Sequence, residues 1–159
     1  IGVFEMSGAR VVSRLMHQGL ESAARLDTYQ RSLVAIGDYA WTGSGLGTFQ
    51  DVFPAYRLEI AAGRQVWDKA HNDYLELVLG LGIPASMLVL AGLAALVWRV
   101  MSGFFTRHRD AHYAAIAAGS AVLVALHSMV DFSMQMQANT LAFALFLGLG
   151  LGQSTSSRS

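Results

Sequence analysis

The chain has 159 residues, 53% of them hydrophobic, a mean hydropathy of +0.41 and 14% charged residues, where soluble domains carry about a quarter. Eleven Lys and Arg balance eleven Asp and Glu, so the net charge is zero and the electrostatic footprint of a nucleic-acid binder is missing. Without cysteine there is no disulfide framework, no thiolate metal site and no cysteine nucleophile.

Charge divides the chain in two: residues 1–76 hold 16 of the 22 charged side chains. Within that half, Val12, Leu15, Met16, Leu20, Ala23, Ala24, Leu26, Leu33, Val34 and Ile36 recur at spacings near three and four. That pattern predicts amphipathic helix over Val11–Gly37, in one or two pieces. Gly43-Ser-Gly-Leu-Gly47 reads as a loop, since each glycine inside a helix costs about 1 kcal/mol relative to Ala. Thr48–Ile60 is ambiguous. His71-Asn-Asp-Tyr-Leu-Glu76 then leads into an apolar run, with Asp73 and Glu76 at the spacing of a capping box.

No charge occurs from Leu77 to Trp98, 22 residues that rise roughly 33 Å as a helix against a hydrocarbon core of about 30 Å. The loop Arg99–Asp110 carries Arg99, Arg107 and Arg109, which places it on the cytoplasmic side. Two further uncharged runs, Ala111–Val130 and Phe132–Leu151, flank Asp131. Only Leu141–Leu151 of the third is strongly apolar, so that helix is short, tilted or partly re-entrant. Trp67, Trp98 and Tyr74 fit an aromatic belt, and His108 and His112 flank the inner boundary.

The expected architecture is an all-α integral membrane protein. A polar, mainly helical external segment, 1–75, precedes a transmembrane region, 76–152, with spans about 77–98, 112–130 and 134–152, and a cytoplasmic tail, 153–159. No signal peptide precedes the external segment, so the chain reads as the C-terminal fragment of a larger polytopic protein.

The ordered motifs Arg25-Leu-x-x-Tyr29, Gly43-Ser-Gly-Leu-Gly-Thr-Phe49, Phe53-Pro-x-Tyr-Arg57, Ala70-His-Asn-Asp-Tyr-Leu-Glu76 and His127-Ser-Met-Val-Asp-Phe132 resemble the O-antigen ligase and O-antigen polymerase family over nearly the whole chain. The resemblance implies a many-span glycosyltransferase of the bacterial inner membrane whose periplasmic loop, here 1–75, bears the essential residues. It implies transfer of glycan from an undecaprenyl-pyrophosphate donor to a sugar hydroxyl of lipid A-core, a growing polysaccharide or another glycan, with no cofactor and no metal. Tyr29 stands where Trp is more common in the family, Ala40 where a Pro often precedes the glycine loop, and Gly80 where a Glu is common.

Breaking a sugar to pyrophosphate bond releases an anion, and the planar fork of Arg matches phosphate oxygens. Arg25 and Arg31 are the candidates, Arg25 on the matched motif. Six residues put them 240° apart on a regular helix, so both meet one ligand only if the helix bends or ends between them. Each also reads as a solvated helix-face residue. Histidine is the side-chain type that changes charge near neutrality, which makes His71 a candidate base for the acceptor hydroxyl or charged partner for the pyrophosphate; its bland reading is a boundary residue before a helix capped by Asn72 or Asp73. Glu76 lies about 140° round the helix from His71, a cap rather than a base.

The matched motifs make Arg57, Asn72 and Tyr74 substrate-binding candidates. Gly45 and Gly47 either offer backbone N–H groups to phosphate or form a tight turn. His127 and Asp131, four apart, form a possible second site or lock neighbouring helices; two ligands do not make a metal site. The competing function is a non-catalytic membrane scaffold or transporter subunit with an external amphipathic segment.

Overall fold

A computed structural model describes residues 24–57, 68–106 and 111–155, and among these the chain is helical with no strand. Trp67, Arg107, His108, Arg109, Arg158 and the stretch Val11–Ala23 lie outside the described residues. The first helix, α1, covers 24–38. Its buried side is Thr28, Ser32, Ala35 and Ile36, whereas Leu26, Leu33 and Val34 are exposed. Periodicity alone had grouped Leu26, Leu33, Val34 and Ile36 in one apolar set; only Ile36 of these joins the core.

The glycine loop follows, with Gly43, Gly45 and Gly47 all at positive φ. Next come a single turn, α2 (Phe49–Val52), and a 3-10 turn, Phe53–Tyr56. The Phe49 and Phe53 rings stack 4.7 Å apart and pack with Ala35, Ile36, Ala70 and Leu79 into an upper core.

Helix α3 (Asp73–Thr106) is capped by Asn72, whose Oδ1 accepts the Leu75 N–H at 3.0 Å. Glu76 therefore does not close a box with Asp73: it reaches back past the cap and accepts the Ala70 N–H at 2.7 Å. Ten residues in, α3 breaks at Gly82 (φ 75°, ψ 167°). In a regular helix Leu79 O would accept from Ile83 and Gly80 O from residue 84, but Pro84 has no N–H. Three bonds to the glycine-loop segment replace the lost ones: Ser44 N–H to Leu79 O at 2.8 Å, Gly45 N–H to Gly80 O at 2.9 Å, and Ile83 N–H to Ala40 O at 2.7 Å.

The close approach needs glycine on both sides. A Cβ on Gly43 would strike Gly80 O, and one on Gly82 would lie 2.7 Å from Trp41 O. Helix α3 is the one described helix long and apolar enough to cross a membrane, over Asp73–Phe105.

Helix α4 (Ala111–His127) runs antiparallel to α3, since its end meets the start of α3 through Asp73 N–H to Ser128 O at 2.9 Å and Tyr74 Oη to Ala125 O at 2.9 Å. A 3-10 turn, Ser133–Gln135, leads to α5 (Gln137–Thr155). α3, α4 and α5 share a lower core of Val100, Ala114, Ala117, Ala121, Phe143 and Leu147.

Candidate functional site

The upper ends of α1, α3 and α4 converge on His71, the residue just before the Asn72 cap. Its backbone is left-handed (φ 54°), alone among the described non-glycine residues. For a residue with a Cβ that conformation costs of order 1–3 kcal/mol and persists only where neighbours impose it. Here the Tyr29 hydroxyl, from α1, donates to His71 O at 2.9 Å. The ring is held as well: Nδ1 lies 3.4 Å from Asp131 Oδ1, and the Phe132 ring packs edge-on at 5.1 Å.

Asp131 is fixed in turn. Its Oδ1 accepts the Phe132 N–H at 2.9 Å. That bond, and after it His71, hold the carboxyl below the usual carboxylate value although burial opposes them. An imidazole that donates from Nδ1 to a carboxylate keeps its basic electron pair on Nε2. His71 and Asp131 thus form a dyad joined across 60 residues of sequence.

His127 is not part of the dyad. Helix α4 ends at His127, so residue 131 does not continue its face, and His127 Nδ1 sits 2.7 Å from Ser133 Oγ. Asp73, by contrast, is a hub that sequence reasoning left as a cap. Its Oδ2 accepts from Ser128 Oγ at 2.9 Å and Met134 N–H at 3.0 Å, and its Oδ1 from Gln135 Nε2 at 3.4 Å. Asn72 and Tyr74 tie the same ends together: Asn72 Nδ2 donates to Met129 O at 2.9 Å, beside the Tyr74 bond to Ala125.

The arginines separate. Arg25 and Tyr29 are four residues apart, 40° round α1, so Arg25 lies one turn before Tyr29 on the side that reaches His71. It is half-buried, and among the described residues it has no ion-pair or hydrogen-bond partner. Arg31 lies on the other flank. Its Nε pairs with Asp27 Oδ2 at 2.8 Å and its Nη1 donates to Tyr56 O at 3.2 Å, which fastens α1 to the 53–57 segment. Asp38 completes that fastening by accepting from Tyr56 Oη at 2.7 Å, a bond that pushes the phenol up to about 12. Arg57 ends the 3-10 turn, its N–H donating to Pro54 O at 3.3 Å.

In the glycine loop the Ser44 and Gly45 N–H groups are bonded to α3. Gly47 shares the loop's left-handed backbone at φ 80°. Gly80, where the family commonly has Glu, is itself pressed on by the loop: a Cβ there would meet Gly45 O at 3.1 Å and Leu46 Cα at 3.3 Å. Among the described residues no three His, Asp or Glu side chains gather as metal ligands.

Beside the dyad, a cavity of about 810 Å³ runs between the glycine loop (Gly45 and Gly47 included), α3 and α4. Asp73, Tyr74 and Gln135 lie at its upper end, and Leu90, Leu93 and Val122 are among its apolar walls. It passes next to His71 without including His71 or Arg25.

A family model described as O-antigen ligase matches residues 2–90, more than half of the chain. The match takes in Arg25, Arg31, Gly45, Gly47, Arg57 and the whole His71–Glu76 motif. It stops short of His127 and Asp131, the part of the resemblance nearest the C-terminus. No curated protein and no solved structure matches the chain.

Proposed function

The chain belongs to the O-antigen ligase family, and from that membership we propose that it transfers a glycan from an undecaprenyl-pyrophosphate donor to an acceptor sugar hydroxyl. The acceptor is lipid A-core, a growing polysaccharide or a related glycan. Members of the family are membrane-embedded and serve lipopolysaccharide biosynthesis, and α3 is long and apolar enough to belong in a bilayer. Arg99 at the far end of α3 argues that the dyad end lies on the periplasmic side of the inner membrane, with residues 1–75.

The observation that carries the reading is the His71–Asp131 dyad on a backbone held in the left-handed region. In the reaction proposed, the acceptor oxygen bonds to the anomeric carbon as the bond from that carbon to the phosphate oxygen breaks. His71 takes the hydroxyl proton, and Asp131 holds the ring and stabilises the imidazolium that forms. The electron pair leaves with the pyrophosphate, whose charge Arg25 meets. The Arg25 side chain supports that role by lying on the Tyr29 side of α1 with no partner among the described residues. The cavity between α3 and α4, polar at its upper end and apolar along its walls, supports a lipid-linked substrate whose hydrocarbon runs down α3.

No metal or cofactor takes part in this scheme; fixed cations do the work of charge neutralisation. In a reconstituted assay with purified lipid-linked donor, chelator leaves the rate nearly unchanged. A rate lost to chelator and restored by magnesium or manganese would remove the scheme. A well-expressed His71→Ala protein that transfers glycan at the wild-type rate would return the scaffold reading to first place.

A further inference from the structure

Helix α1 buries a polar and small-residue face and leaves an apolar one bare. Leu26 is 62% exposed, Leu33 58% and Val34 62%, and the loop that follows carries Trp41 at 82% and Leu46 at 68%. At 100° per residue, Leu26, Gln30, Leu33, Val34 and Gly37 fall within a sector of about 100°, and no charge lies in that sector. Asp27, Arg31 and Asp38 lie along one flank of it. A soluble protein seldom leaves a continuous apolar strip of this kind open to water.

The loop end of the strip is anchored at the break in α3. Ala40, Ser44 and Gly45 are hydrogen-bonded to Ile83, Leu79 and Gly80, which lie two to six residues inside the uncharged run that starts at Leu77, roughly 3–9 Å along the helix. Surface-seated amphipathic helices sink about 5–10 Å into the boundary between headgroups and acyl chains. The same level on α3 is itself apolar and open, at Ile83 and Met87. The loop end of the strip thus meets α3 at Ile83, and the exposed Trp41 beside that junction is of the residue type that favours the interface.

We propose that the outer face of α1 and the start of the glycine loop, Leu26, Leu33, Val34 and Trp41, is a membrane-seating surface. Its partner is the lipid boundary of the bilayer that α3 crosses. The loop end of this surface is then tied to α3 by the backbone bonds at Leu79, Gly80 and Ile83. Arg25 and Tyr29, the residue that holds His71 O, fall outside this sector on α1, so the seated face is not the one that meets the dyad.

The test uses the full protein in lipid nanodiscs, with single nitroxide labels at Leu26→Cys, Leu33→Cys and Val34→Cys and controls at Gln50→Cys and Ala55→Cys, which are exposed away from the strip. Collision with oxygen relative to a water-soluble nickel complex should be several-fold higher at the three strip positions than at the controls. Ready collision with the nickel complex at Leu33→Cys and Val34→Cys would overturn the proposal, because the face would then be in water. Immobilised spectra with both reagents excluded would overturn it too, because another protein segment would cover the face. A second measurement needs no label: with the remaining tryptophans replaced by Phe, Trp41 fluorescence should be quenched by lipids brominated high on the acyl chain, and an unquenched Trp41 contradicts the proposal. Neither readout depends on glycan transfer.

Discussion

Above the break at Gly82 the chain is joined by aromatic stacking and by hydrogen bonds between distant segments; below it, α3, α4 and α5 meet through alanine and glycine. The upper core is Phe49 on Phe53 with Ile36 and Leu79, and backbone groups of the loop complete the broken helix. The lower core is Ala114, Ala117 and Ala121 against Val100, Phe143 and Leu147, with Gly150 set directly on Ala117. In lipid, tails are as apolar as leucine, so helices gain by close approach rather than by leaving water, and small residues permit that approach. In the upper half the groups proposed to meet substrate are fixed individually by polar bonds.

The sharpest way to test this division is to remove His71, where the largest effect is expected. His71→Ala should lower glycan transfer by about 10²- to 10⁴-fold, the usual range of a general acid-base group, while membrane abundance and thermal stability stay near wild type. His71→Gln should fail equally if proton transfer matters, and should keep part of the rate if the residue only positions donor. Should both variants lose activity only in proportion to their protein level, the upper half would be structural like the lower.

Two glycines separate the halves at the next scale. A Cβ on Gly43 meets Gly80 O and must adopt a left-handed backbone (φ 70°), whereas one on Gly150 meets the Ala117 Cβ. Overpacking of this kind costs about 1–3 kcal/mol, so Gly43→Ala and Gly150→Ala should both lower the unfolding temperature. Only Gly43→Ala should also lower the rate per folded molecule, because the loop sets where the first ten residues of α3 point. Equal residual rates in the two variants, measured on protein quantified as folded, would show that the break does not govern the site.

Why these particular features escape a reading of the sequence is physical. Leu77–Trp98 announces itself as a span because a charge in hydrocarbon is expensive, and α3 contains it. The break at Gly82 leaves no such mark, since glycine is common in membrane helices and the replacement donors come from Ser44 and Gly45, some 35 residues earlier. His71 is legible by its motif, but its partner Asp131 is not, because nothing local links residues 60 apart. Likewise the period of α1 reveals apolar positions without saying which of them the core takes, and Thr28 and Ser32 are buried while Leu33 is not. Ser32 is tolerated there because its Oγ donates to Thr28 O at 2.8 Å.

Acid distinguishes the halves through Asp131. Its carboxyl is held below the usual value, chiefly by the Phe132 N–H, so its stabilising contribution is complete above the unfolded-state pKa near 3.9. The contribution disappears as pH falls through the lowered folded value. Wild-type stability should therefore be insensitive to this group from pH 7 down to about 4 and decline below that. Asp131→Asn should remove that part of the decline, and thermal unfolding followed from pH 7 to pH 3 measures it. A decline identical in wild type and variant would mean that Asp131 is not held as described.

The smallest effect expected is at Tyr29, and it asks whether the left-handed backbone of His71 is imposed from α1. The Tyr29 hydroxyl is the bond by which α1 holds His71 O. Tyr29→Phe keeps the ring and deletes that donor, which should cost about 0.5–1.5 kcal/mol, the net worth of one such bond. Because the bond bears on the residue proposed to carry the proton, the rate should fall more than the stability does. Tyr29→Trp restores a donor in the indole N–H, and Trp is the more common residue in the family, so this variant should recover most of what Phe loses. Recovery by Trp without recovery by Phe identifies the donor, rather than the ring, as what orients His71. If Phe matches wild type in both rate and stability, then Asp131 and Phe132 suffice to hold His71, and the link from α1 to the dyad is dispensable.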